Sequence, residues 1–147
     1  LIVGSGAVRS RLEAQVHKLN LDGCVQFMGF RSDISTILRA SDLLVHPALR
    51  EGFANVGLQA MASGIPVVTT SVGGMPEMVQ HEITGLVVPP GDSKSLTQAI
   101  EELLSNPGRC SMMGRLGQDI VRERFSVERM VDSNLALYQK ILASHHS

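Results

Sequence analysis

The stretch His46-Pro47-Ala48-Leu49-Arg50-Glu51-Gly52-Phe53-Ala54-Asn55-Val56 concentrates the most chemistry in this sequence. A short apolar run ends at His46 and a helix-forming segment begins near Ala54. A carboxylate and a glycine therefore fall between a strand end and a helix start. The first N–H groups of a helix have no partners inside it, and its dipole is positive at that end. Such a loop suits an anionic or hydroxyl-rich ligand, with the Glu51 carboxylate as a strong acceptor for sugar hydroxyls. Gln59 lies eight residues later, about one turn into the helix, where its amide can reach the same cleft. The competing reading has Glu51 cap the helix and leaves Gln59 a partly exposed helix residue.

Three further motifs occupy equivalent places. Gly4-Ser5-Gly6 follows a strand-like run and precedes a helix, so backbone N–H groups can approach a phosphate there. A dinucleotide fingerprint needs a third glycine three positions on, where Arg9 stands, which argues against a nicotinamide or flavin domain. Gly29-Phe30-Arg31 places an aromatic and a cation where they can flank a nucleotide base. Phe30 can equally serve as a hydrophobic staple beside a helix capped by Ser32. Gly73-Gly74-Met75-Pro76-Glu77 reads as a flexible loop feeding a short helix, with Pro76 near its first position. Its glycines can admit a ligand to backbone amides or simply make a turn. His46 and His17 have no partner spacing that points to chemistry, and both read as structural.

Positioning these loops requires alternating elements. Leu1–Val3, Val25–Met28, Leu43–Val45, Val67–Thr69 and Leu86–Val88 are short, apolar and mostly β-branched or Leu, the pattern of parallel strands buried on both faces. Arg9–Leu19, Ser32–Ala40, Val56–Ser63 and a short piece near Glu77–Gln80 are helix-like between them. The alternation predicts an α/β doubly wound parallel sheet, which binds ligands beyond the carboxyl ends of its strands. After Pro89-Pro90-Gly91 only helices are expected. Asp92 caps Ser93–Ser105, with Leu96, Ile100, Leu103 and Leu104 on one stripe. Asn106-Pro107 ends that helix and opens the next. Ser126 caps a last one, whose apolar side carries Val127, Met130, Val131, Tyr138, Ile141 and Leu142. His145-His146 reads as a tail, not a metal site.

Composition narrows the function classes. The chain has 147 residues, enough for one domain, and 44% of them are apolar, enough for a core. Thirteen Lys and Arg against fourteen Asp and Glu leave no basic stripe for nucleic acid. Four Phe, one Tyr and no Trp give no platform for stacking successive bases. No apolar run reaches the roughly 18–20 residues of a membrane-spanning helix. Cys24 and Cys110 lack the close pairing of zinc ligands and read as two buried thiols in a reducing compartment.

The run from Glu51 to Val68 resembles the signature of family 4 glycosyltransferases, as do Gly73–Glu77, Gly85–Pro89 and Asp92. Leu1–Gly6, Val25–Gly29 and Ala40–Leu43 are similar to its earlier landmarks, so the resemblance spans nearly the whole chain. It implies a GT-B enzyme: two Rossmann-like domains that transfer a sugar from a nucleotide donor to an acceptor with retention of anomeric configuration and no bound metal or other cofactor. The chain resembles the carboxyl-terminal, donor-binding domain alone, over residues 1–147, without its first strand; Leu1 then marks a cut edge. The missing strand should be central, leaving a gap in the sheet. The acceptor, a carbohydrate or a lipid-linked one, belongs to a domain outside the chain. The donor would be UDP-, GDP- or ADP-linked. By this resemblance Glu51 contacts the donor sugar and is the catalytic candidate. Gly52, Phe53, Ala54 and Asn55 supply amides around the sugar and its phosphate, Phe30 and Arg31 hold the base, and Gly4 and Gly6 lie near the nucleotide. The setting implied is cytoplasmic, with any peripheral membrane contact made by the other domain.

Two departures from the family pattern matter. Its second glutamate, which grips the ribose hydroxyls, is Gln59 here, exchanging a charge-assisted bond for a neutral one at a cost on the order of 1 kcal/mol. Its diphosphate-holding arginine and lysine precede the first strand seen here. Their loss removes several kcal/mol of transition-state stabilisation, at roughly 3 kcal/mol per oxyanion-type contact. The 147 residues alone are thus expected to be inactive. The alternative is a non-catalytic nucleotide-sugar-binding module.

Overall fold

A computed structural model describes residues 1–144, and the His145-His146 pair lies outside the described residues. The chain divides into two compact units, Leu1–Ile34 and Ser35–Ser147. The first contains β1 (Ile2–Val3), α1 (Arg9–Lys18) and β2 (Phe27–Gly29). β1 and β2 pair in parallel, Ile2 opposite Phe27 and Val3 opposite Gly29, with a register shift between them. Parallel strands need a crossover, and α1 provides it. The expected two-sided burial fails here: Ile2 and Val3 are 40% and 37% exposed. Among the described residues β1 is paired only with β2, and α1 buries none of its residues.

Helix α2 (Ile34–Arg39) starts on the last residue of the first unit and continues into the second. There β3 (Leu44–His46), β4 (Val67–Thr70) and β5 (Gly85–Val88) form a parallel sheet in the order β3-β4-β5. β4 is buried at all four residues, as a central strand covered on both faces must be. Helices α3 (Asn55–Ala62) and α4 (Met75–Met78) connect the strands. Then follow α5 (Ser93–Leu104), α6 (Pro107–Arg124) and α7 (Val127–Ser144). One core cluster joins Val68, Leu86 and Val88 of the sheet to Ala99, Leu103 and Met113 of α5 and α6. α3 lies on α6 through Met61 and Gly117, and the Gln118 side chain donates to the Ala62 carbonyl at 3.0 Å. A side chain at Gly114 would collide with the Gly64 backbone, so α6 can pass there only with glycine.

The helix caps follow the sequence chemistry. Asp92 accepts from the Ser95 N–H at 3.0 Å, Asn106 from Arg109 at 3.0 Å and Ser126 from Arg129 at 3.2 Å. Three expectations are corrected. Leu104 leaves the α5 stripe and is 55% exposed, while Ala99 is buried instead. At 100° per residue Leu104 stands well away from the direction shared by Ala99 and Leu103. The apolar side of α7 is exposed throughout, because nothing among the described residues covers it. Cys24 is exposed, in a turn whose backbone closes on Leu21, and only Cys110 is partly buried. No described helix is long and apolar enough to cross a membrane.

Candidate functional site at the strand ends

In the second unit the loop after β3 is built from the sheet outward. The buried hydroxyls of Thr69 and Thr70 donate to the carbonyls of His46 and Ala48, at 3.1 and 2.6 Å. These bonds tie the loop to β4 as it leaves the sheet. Glu51 follows, partly shielded, with its side chain 30% exposed. One carboxylate oxygen accepts the Gly52 N–H at 3.0 Å, and the other lies 3.3 Å from Nε2 of His46. Glu51 therefore does not cap α3. The cap position belongs to Ala54, extended at φ −83° and ψ 98°, and makes no side-chain cap bond. The N–H groups of Phe53, Ala54 and Asn55 have no acceptor among the described residues, whereas that of Gly52 is taken by Glu51. The helix start thus keeps free donors and its positive dipole end beside a fixed carboxylate.

The Gly73-Gly74 loop, ahead of α4, supports this carboxylate. Gly74 donates its N–H to the Gly52 carbonyl at 2.7 Å. Gly73 adopts φ +51°, and a Cβ there would fall into the Glu51 carbonyl. A Cβ at Gly74 would strike the Phe53 ring at 2.6 Å. The two glycines are explained by close approach to the Glu51–Phe53 backbone. Phe53 also leans on Phe125, with ring centroids 6.2 Å apart. Gln59, on α3, is exposed and its side chain has no partner among the described residues.

In the first unit Gly4 adopts φ +130° and donates to the Gly29 carbonyl at 2.8 Å, so the loop after β1 is bonded to the end of β2. Gly6 accepts from Arg9 at 3.2 Å. Arg9, in the place of a third fingerprint glycine, pairs with Glu13 at 2.7 Å and lies over the Phe27 ring at 5.7 Å. Phe30 is 81% exposed and makes no staple, because the helix begins at Ile34 and not beside Ser32. Arg31 grips Asp33 with two bonds of 2.8 and 2.7 Å. The fork raises the Arg31 pKa and lowers that of Asp33, each through the hydrogen bonds of the pair first. Gly4, Gly6, Phe30 and Arg31 thus share one unit, and Glu51 through Asn55 with Gln59 share the other.

A concavity of about 370 Å³ bordered by Asp42, Pro66, Leu103, Pro107 and Cys110 lies elsewhere. Asp42 and Pro66 precede β3 and β4, so it opens at the amino ends of the strands, the wrong side for an α/β ligand site. Burial, followed by the nearby Asp42 charge, raises the Cys110 pKa there and disfavours a reactive thiolate. No group of three or more His, Cys, Asp or Glu side chains able to hold a metal comes together among the described residues.

Comparison with known families shows which family carries this fold. A family profile described as glycosyl transferases group 1 matches residues 1–106. The chain belongs to the group 1 glycosyl transferases. It is similar to the N-acetyl-alpha-D-glucosaminyl L-malate synthase of Bacillus anthracis, 32% identical over 97% of this chain and 37% of that protein. Among solved structures it superposes on sucrose-phosphate synthase from Thermosynechococcus elongatus with a TM-score of 0.85 and 34% identity, covering 95% of this chain and 35% of that one. It also superposes on Anabaena HepE in complex with UDP-glucose, with a TM-score of 0.83 and 31% identity, over 96% and 40% of the two chains. The fold is thus the GT-B glycosyltransferase α/β fold, and the chain spans well under half the length of these relatives.

The sequence marks His46 as structural without revealing its partner, and does not single out Thr69 or Thr70. A histidine ending one apolar strand and two threonines ending another carry no spacing that reveals their partners. Only the folded loop shows that they set the place of Glu51.

Proposed function

We propose that the protein carrying this chain is a retaining family 4 glycosyltransferase that moves a sugar from a nucleoside-diphosphate donor to an acceptor. In this reading the chain is the carboxyl-terminal, donor-binding part, and the acceptor binds a domain outside these residues. One observation above all supports it: Glu51 is fixed at the carboxyl end of β3, a few residues ahead of an uncapped helix start, in a chain of this family.

The bond from the anomeric carbon to the diphosphate oxygen breaks, and the acceptor oxygen takes its place on the same face. Glu51 accepts hydrogen bonds from the donor sugar. The free N–H groups of Phe53, Ala54 and Asn55 meet charge developing on the leaving phosphate. The Gly52 amide stays on the Glu51 carboxylate and helps aim it at the sugar. Phe30 and Arg31 hold the base, Gly4 and Gly6 let the nucleotide approach the backbone, and Gln59 bonds the ribose hydroxyls. No metal or other cofactor is required of this chain. UDP is the first nucleotide to try, since UDP-glucose occupies the similar Anabaena protein. The cytoplasm is the setting we assign, with membrane contact, if any, left to the other domain.

The test uses the full-length protein with UDP-glucose, GDP-mannose and ADP-glucose, following anomeric configuration by NMR. Retained configuration, with kcat/KM reduced about a hundredfold or more in Glu51→Ala, is the expected result. Inverted product, or an unaffected variant, refutes the reading. The exposed Gln59, where the family resemblance has glutamate, favours a second reading as a non-catalytic nucleotide-sugar-binding module. Absence of turnover with every donor, alongside nucleotide binding that tightens in Gln59→Glu, would select it.

A further inference from the structure

Glu51 is held from two directions. Its Oε1 accepts the N–H of the next residue in its own loop, at 3.0 Å. Its Oε2 faces His46 Nε2 at 3.3 Å, a contact that originates in the sheet. The terminal torsion of a glutamate is broad and roughly two-fold, so one donor leaves the carboxylate plane free to turn. A second donor on the other oxygen fixes that plane. His46 suits the task because it is the last residue of β3 and its carbonyl is pinned by the buried Thr69 hydroxyl. The imidazole is only 22% exposed, so its bond to a carboxylate is less screened than a surface pair.

We propose that His46 is a positioning residue: with its proton on Nε2 it orients the Glu51 carboxylate for the donor sugar. The proposal rests on the reading of Glu51 as the sugar contact. A carboxylate offers about four acceptor positions. The two bonds seen here occupy one on each oxygen, leaving one on each, a match for two hydroxyls of a single sugar ring. His46 therefore governs recognition of the sugar and not of the nucleotide.

The experiment takes the full-length protein, whichever of UDP-glucose, GDP-mannose and ADP-glucose it turns over, and the corresponding bare diphosphate. His46→Ala is expected to lower kcat/KM about tenfold, the effect of losing one hydrogen bond to a charged group, while the Kd of the bare diphosphate stays within about twofold. His46→Gln sets an amide N–H near the place of Nε2 and is expected to recover most of the loss. In a Glu51→Ala background, His46→Ala is expected to add nothing. An unimpaired His46→Ala beside an impaired Glu51→Ala overturns the positioning role alone. So do additive losses in the double variant, or a His46→Gln no better than His46→Ala. An unimpaired Glu51→Ala overturns the sugar-contact reading and the role of His46 with it. Thermal unfolding of each variant shows whether a lost activity is lost folding; His46→Ala that melts early while His46→Gln melts and reacts like wild type still supports the proposal.

Discussion

Replacing Gly73 with alanine probes how the site is held, because the glycine touches Glu51 through backbone alone. Two costs combine. At φ +51° an L-residue sits in the left-handed region, at about 1–2 kcal/mol. The new Cβ would also fall into the Glu51 carbonyl and lie 2.6 Å from that of Gly52. Neither obstacle is the movable end of a side chain, so the two loops must separate, at about 1–3 kcal/mol for overpacking of this kind. The sum, about 2–5 kcal/mol, strains the 2.7 Å bond from Gly74 to Gly52 and displaces the carboxylate. A displacement near 1 Å at a reacting centre can cost about a hundredfold in rate. Gly91→Ala is the control: its φ of +79° imposes the backbone strain, but its nearest neighbour is Leu49 at 3.9 Å. Denaturant unfolding of the full-length protein should show Gly73→Ala less stable than Gly91→Ala by the overpacking share, and kcat/KM should fall only in Gly73→Ala. Equal stabilities and equal activities in the two variants would refute the argument that Gly73 exists for close approach to Glu51.

Thr70→Val removes the hydroxyl that donates to Ala48 and leaves that carbonyl without its partner, a loss of about 1–3 kcal/mol by denaturant unfolding. Activity should fall with stability, because the same bond holds the loop that carries Glu51. Asp92 supplies a pH dependence. Hydrogen bonds from Ser95 hold its carboxyl below the ordinary range, so the folded state favours the ionised form. The stability this contributes is present above the unfolded carboxyl value, about 3.9, and is lost as pH falls through the lower folded value. Asp92→Asn keeps a good cap and should flatten that part of the acid unfolding profile.

Much of this architecture was legible because local chemistry decides it. The strands at Val67 and Leu86 read as buried from their apolar runs and are so, and the caps at Asp92, Asn106 and Ser126 need only a side chain within three residues of a free N–H. The loop from Glu51 to Asn55 was legible for the same reason, as a carboxylate and a glycine between a strand and a helix. What depends on distant partners was not. The sequence could not tell a helix-capping Glu51 from one bonded to His46. Nor could it tell a ligand-admitting Gly73-Gly74 from one pressed against Glu51. Leu104 and Cys24 turned outward for reasons of angle and turn geometry that composition does not carry. Element types and family follow from residue patterns along the chain. The aim of a single carboxylate depends on His46, Thr69 and Gly73 arriving from a strand end, a neighbouring strand and a later loop, and only the tertiary structure brings those together.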